Sequence, residues 1–283
     1  MQAEQLTPPS AYHAEGPVWI TGTRWPEGLH WVDMLAGDVL TLEPSGEVAR
    51  RHVSEVVAVI RPRTGGGLIY AVERGFVTDE GPATDLRRLP ELWTDPGVRM
   101  NEGGCDPDGN LYAGSMAFDG RPGAGVFYRL SKDGRTSVVE RGWTIPNGLE
   151  WTADGTTAYH SDTAAGRIDV MDWDAEHGLH DRRRFVDVDD GGPDGLTIDA
   201  EGGVWVAVWG GSAVHRYEPD GSLSQVVEVP VAQVSACTFG GATRDELFIT
   251  TSREGLDDPE PAAGAVFVVR PGATGLPTRP FAG

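Results

Sequence analysis

Six short strand-forming runs, each built around one aromatic residue, recur along the chain: His30-Trp31-Val32-Asp33, Ile69-Tyr70-Ala71-Val72, Leu111-Tyr112-Ala113-Gly114, Ala158-Tyr159-His160-Ser161, Val204-Trp205-Val206-Ala207 and Leu247-Phe248-Ile249-Thr250. The aromatic positions are 39, 42, 47, 46 and 43 residues apart. A unit of that length has room for about four short strands, and no such unit can bury its apolar faces alone. Neighbouring units must therefore stack, and the period predicts an all-β fold, a six-bladed β-propeller. Inside the units, Val39 to Gly46, Val126 to Gly134 and Val214 to Gly221 each read as a strand closing on a Ser-Gly or Asp-Gly turn. Glycine supplies the positive φ that such a turn requires.

Composition agrees with the period. The 39 glycines and 20 prolines are hard to place in helices, since each costs about 1 and about 3 kcal/mol there. The segments Glu91 to Val98 and Arg182 to Phe185 have room for a turn or two of helix at most. No linker or change of composition divides the chain, so residues 1–283 are expected to form one domain, with 1–12 as an extended arm. A ring of sheets must close on itself or leave strand edges unpaired. Val18 to Thr21 and Ala265 to Val269 are the candidate neighbours at that closure.

A net charge of −20 offers no basic stripe to displace counterions, which argues against nucleic acid and anionic membrane surfaces as partners. No apolar run approaches the roughly 18 residues of a membrane span, and Met1 to Pro9 lacks the pattern of a signal peptide. Cys105 and Cys237 have no C-x-x-C spacing, so a cytoplasmic location is expected.

A second repeat carries the chemistry. In Pro146-Asn147-Gly148 and Pro193-Asp194-Gly195 a chelating side chain precedes a glycine, and each lies 8 positions before a turn glycine, Gly155 and Gly202. Asn101 stands 8 before Gly109, and Glu15 of Ala14-Glu15-Gly16-Pro17 stands 7 before Gly22. In a propeller the heads of the innermost strands gather around one mouth of the central channel. Four heads then present Glu15, Asn101 with Glu102, Asn147 and Asp194, while the other two read Glu55-Val56-Val57-Ala58 and Ser235-Ala236-Cys237. Carboxylates meeting at a narrow mouth repel unless a cation balances them. One bound divalent metal is the simplest expectation. Asp or Asn before Gly is also ordinary turn chemistry, as at Asp220; the shared register is what favours a site.

These motifs, with Arg99-Met100-Asn101-Glu102-Gly103-Gly104 and Ser235-Ala236-Cys237-Thr238-Phe239-Gly240, resemble the senescence marker protein-30 (regucalcin)/gluconolactonase family over nearly the whole chain. The resemblance implies a six-bladed propeller, one divalent cation and hydrolysis of a sugar lactone. It implies Glu15, Asn147 and Asp194 as metal ligands and Asp194 also as general base. Arg99 and Asn101 become substrate contacts. Asp119 falls where a family member commonly has a substrate-facing glutamate, one carbon longer. An all-oxygen set suits calcium, magnesium or manganese, and zinc can accept it. Trp209 is expected in the blade core, with a place at the mouth as the alternative.

Three functions compete. The first is metal-assisted opening of an aldonolactone to its acid, with Asp194 taking a proton from water. The second is hydrolysis of an organophosphate or another ester on the same scaffold. The third is a non-catalytic metal- or protein-binding propeller, which has no need of two central carboxylates. No G-x-S-x-G elbow, H-E-x-x-H pair or calcium-loop pattern offers another chemistry.

Overall fold

A computed structural model describes all 283 residues. The chain forms six antiparallel sheets of four strands each, arranged as a six-bladed β-propeller. The innermost strands are Ala14–Ile20, Val57–Pro62, Val98–Cys105, Pro146–Trp151, Gly192–Ile198 and Val234–Gly240. Each packs on the next around the ring, and the sixth packs back on the first. The repeating aromatics all lie on the second strand of their blade. Trp31, Tyr70, Tyr112, Tyr159, Trp205 and Phe248 are buried, which is why one large ring per unit recurs in the sequence. The expected turn glycines Gly46, Gly134 and Gly221 adopt φ of 86°, 83° and 85°.

Two sequence expectations are refined. The strand that completes the sixth blade is Glu4–Gln5, hydrogen-bonded to Val266–Val269, whereas Val18 lies in the innermost strand of the first blade. The arm thus contributes its own short strand to the ring. Arg182 to Phe185 belongs to the outer strand Gly178–Asp187. The only helical pieces are single 3-10 turns at Met34–Ala36 and Thr163–Ala165, and no helix is long and apolar enough to cross a membrane.

All six innermost strands carry a register irregularity near their heads. In the fifth blade Pro193 pairs with Val208 and Leu196 with Val206. The inner strand advances three residues while its partner advances two. Such a bulge turns side chains away from the ladder. Asn101–Glu102, Asn147–Gly148 and Asp194–Gly195 are the residues spanned, whereas Glu15 is the last paired residue before Gly16–Pro17.

Candidate active site

The strand heads meet at a cavity of about 200 Å³, whose walls include Glu15, Asn147 and Asp194 together with Arg99 and Asn101. All five side chains are buried, with relative exposures of 4 to 6 %. The heads of the innermost strands of four different blades therefore bring residues from Glu15 to Asp194 to one place.

The hydrogen bonds leave particular atoms free. Asn147 Nδ2 donates to Thr163 Oγ1 at 3.1 Å, and Thr163 Oγ1 donates to the Pro193 carbonyl at 2.7 Å. That assignment occupies the amide nitrogen and leaves the Asn147 carbonyl oxygen available. Asn101 Oδ1 accepts from Arg99 Nη1 at 2.7 Å, while its Nδ2 donates to the Pro146 carbonyl at 2.9 Å. Asn101 thus fixes the guanidinium and ties the third blade to the fourth. Arg99 Nε has no partner.

Glu15 Oε2 and Asp194 Oδ1 are also buried without a partner. Burial raises the pKa of both carboxyls. Asp194 and then Glu102 push Glu15 further up, and Glu102 does the same to Asp194. The Asn147 side chain, the Gly195 N–H and Arg99 work the other way on Asp194. An unpaired buried charge is expensive, so two such oxygens in one cavity form an incomplete constellation. With the Asn147 carbonyl they make an all-oxygen donor set of the kind that holds a hard divalent cation. The residues present fit such a cation.

Sequence reasoning missed several neighbours. His13, Thr163 and Glu254 line the cavity, and Trp209 lines it too, at the mouth rather than wholly in the blade core. His13 Nδ1 lies 2.8 Å from Ser252 Oγ, and its ring meets Trp209 edge-on at 5.8 Å. Burial and then Arg99 hold its pKa down to about 3, so the ring is neutral. Strand alternation could have found it, since residues two apart share a face and His13 stands two before Glu15.

Asp119 is the expected site residue that the fold does not bring in. It is absent from the cavity wall, its carboxylate is 64 % exposed, and it pairs with Arg121 at 3.2 Å. Arg121 also holds Asp95 at 3.1 Å, drawing this loop outward. Only Phe118 beside it stays near, its ring centroid 5.7 Å from the Arg99 guanidinium.

Two other features are set apart from this centre. A larger cavity, about 520 Å³, lies at the opposite ends of the inner strands, beside Trp19, Arg63 and Arg244. Glu27 is the one carboxylate in its lining, so size alone does not locate the chemistry. Asp172, His180 and Asp181 approach one another on the outer strands of the fourth blade, where Asp181 is 78 % exposed.

Residues 13–253 match the family model described as SMP-30/Gluconolactonase/LRE-like region. Pentonolactonase XacC of Haloferax volcanii is 32 % identical, with 98 % of this chain and 97 % of that protein aligned. Regucalcin of Xenopus laevis is also 32 % identical, over 95 % of this chain and 94 % of its own. Among solved structures, a calcium-binding protein, regucalcin, from Agrobacterium tumefaciens superposes with a TM-score of 0.89 at 29 % identity, covering 99 % of this chain and 97 % of that one. With the propeller and its polar mouth in place, the match across the blades decides the family: this chain belongs to the SMP-30/gluconolactonase/LRE-like family.

Proposed function

We propose that this protein is a divalent-metal-dependent hydrolase that opens sugar lactones, aldonolactones, to their acids. The observation that carries the reading is the pair of buried, unpartnered carboxylate oxygens on Glu15 and Asp194 facing one cavity. The similarity to a pentonolactonase supports the substrate class. Glu15, Asn147 and Asp194 are the residues that would hold the cation. Calcium, magnesium and manganese suit their oxygens best, with zinc a poorer match. When bound, the cation supplies positive charge that polarises a carbonyl and acidifies water.

The chain's own groups do the rest. Asp194, whose carboxylate has a second oxygen besides the Oδ1 that would face the cation, takes a proton from the attacking water as the water oxygen bonds to the lactone carbonyl carbon. That proton passes to the ring oxygen as its bond to the carbonyl carbon breaks, giving the open hydroxy acid. Arg99 offers its free Nε to a substrate oxygen, and Asn101 keeps the guanidinium aimed. Thr163 orients Asn147. Asp119, as placed, takes no part. A cytoplasmic setting accords with two buried, unpaired cysteines.

The test is acid release from five- and six-carbon aldonolactones, an aryl ester and an organophosphate, with each of the four cations or a chelator. We expect turnover of at least one aldonolactone, abolished by chelation. Asp194→Ala should lower kcat/KM by at least about 10³-fold, the scale of a lost general base together with a lost ligand, with an unchanged circular dichroism spectrum. The reading fails if no lactone opens faster than in buffer with any cation.

A further inference from the structure

With Asp119 turned outward, the acidic side chain that reaches the cavity from a position other than the strand heads is Glu254. Its main chain is pinned on both sides: its N–H donates to Ser252 Oγ at 3.0 Å, and Gln233 Nε2 donates to its carbonyl at 3.1 Å. The carboxylate itself has no hydrogen bond. His13 Nε2 faces it, 3.6 Å from Oε2, with Glu15 Oε1 3.8 Å from the same nitrogen, and the Arg99 guanidinium is a positive charge within its reach. Both spans exceed a direct hydrogen bond.

The tautomer of His13 follows from its partner. Ser252 Oγ accepts from the Glu254 N–H, and its own hydrogen has no acceptor within bonding distance other than His13 Nδ1. The tautomer that satisfies the Ser252 hydroxyl hydrogen makes Nδ1 the acceptor and leaves the proton on Nε2. One serine thus sets a donor, His13 Nε2–H, and an acceptor, the Glu254 carboxylate, side by side at the seam of the first and sixth blades. Trp209 adds an aromatic face, and Arg99 Nε adds a second free donor. Paired donors and acceptors beside an aromatic ring are what a polyhydroxylated ring requires, since each hydroxyl both gives and takes a hydrogen bond while its C–H faces are apolar.

We propose that Glu254, set beside His13 by Ser252, binds ring hydroxyls of the lactone and makes the enzyme select polyhydroxylated lactones over plain ones. This rests on the lactonase reading and names the residue behind its specificity. The experiment compares kcat/KM on the preferred aldonolactone with that on γ-butyrolactone, a lactone ring without hydroxyls. Glu254→Ala should cut the ratio by about tenfold or more, as a lost charged hydrogen bond does, chiefly through KM on the aldonolactone; Glu254→Gln should recover part of it. Asp119→Ala should leave the ratio within about twofold, the range of an exposed residue with no cavity contact. A ratio unmoved by Glu254→Ala, or cut tenfold by Asp119→Ala, overturns the proposal. Calorimetry with the matching aldonolactam separates this from failure of the lactonase reading. If no lactone is opened but the lactam binds and Glu254→Ala weakens it about tenfold, the recognition role stands alone. A lactam that does not bind, or binds both proteins equally, overturns it.

Discussion

His160 is fully buried and neither ring nitrogen has a hydrogen-bond partner. It packs against Phe127 and Trp143, and Arg182 covers Trp143 at 4.4 Å. Burial, and then Arg182, hold its pKa down to about 3. The sign follows directly. Between the unfolded value near 6.5 and about 3, the unfolded chain takes up a proton that the native state refuses, so stability is lost as pH falls through that window. From pH 7 to pH 5 this one group should cost about 2 kcal/mol. His160→Phe or His160→Leu should flatten that dependence in urea unfolding at the two pH values. An unchanged difference between pH 7 and pH 5 in both variants would sink the account. At this scale the sequence is legible only where side-chain type and register coincide. Glu15, Asn147 and Asp194 stand out because each directly precedes a glycine and lies 7 or 8 positions before a turn glycine. Thr163 opens a 3-10 turn after the second strand, as Met34 does in the first blade, but a threonine there marks no chemistry by itself; Glu254 lies in a loop outside the strand repeat.

The innermost strand, with its bulge, is the element that turns a repeat into a site. Its glycines serve close packing between blades. A Cβ on Gly148 would sit 2.3 Å from the Leu196 nitrogen of the next inner strand, and one on Gly195 would sit 2.4 Å from Ala236 Cβ. Chelator and glycine are thus two halves of one requirement, a polar side chain aimed inward from a strand its neighbour can approach. Gly195→Ala should therefore cost about 1–3 kcal/mol by overpacking and also weaken the cation binding proposed above, because Asp194 must shift. Gly65→Ala, with nothing within 4 Å of the added methyl, is the control. Denaturation midpoints and a calcium titration measure both effects, and a Gly195→Ala protein that matches the control in each contradicts the packing argument. The period, the second-strand aromatics and the turn glycines were readable because each is a repeated local demand. The closing strand was not, since Glu4–Gln5 is two exposed polar residues whose pairing depends on where the sixth blade ends.

At the scale of the whole molecule, the stretch from Thr274 to Ala282 ties the ring together at the end remote from the site. Thr274 O accepts from Ala200 N at 2.7 Å in the fifth blade, and Gly275 N donates to Arg244 O at 2.8 Å in the sixth. Thr278 Oγ1 donates to Trp19 O at 3.1 Å in the first, and Arg279 Nη2 to Thr152 O at 2.8 Å in the fourth. Phe281 N donates to Pro62 O at 2.8 Å in the second, and Ala282 N to Gly109 O at 2.9 Å in the third. Every blade is thus bound by one short segment, and Phe281 inserts into the largest core cluster, shared by the first three blades. Sheets that touch only their neighbours gain cooperativity from such a strap, since separating any two blades must also strip it away. Phe281→Ala should destabilise by about 3–5 kcal/mol, the usual loss for a buried phenylalanine, and removing residues 273–283 should lower the melting temperature further. The cavity at the opposite mouth contains none of these residues, so cation affinity per folded molecule should stay within about threefold, well under the roughly tenfold that 1.4 kcal/mol would give. A truncated chain that melts like the full one would show that the inner strands alone hold the ring. A truncated chain that folds but no longer binds the cation would show that the strap reaches the site through the channel.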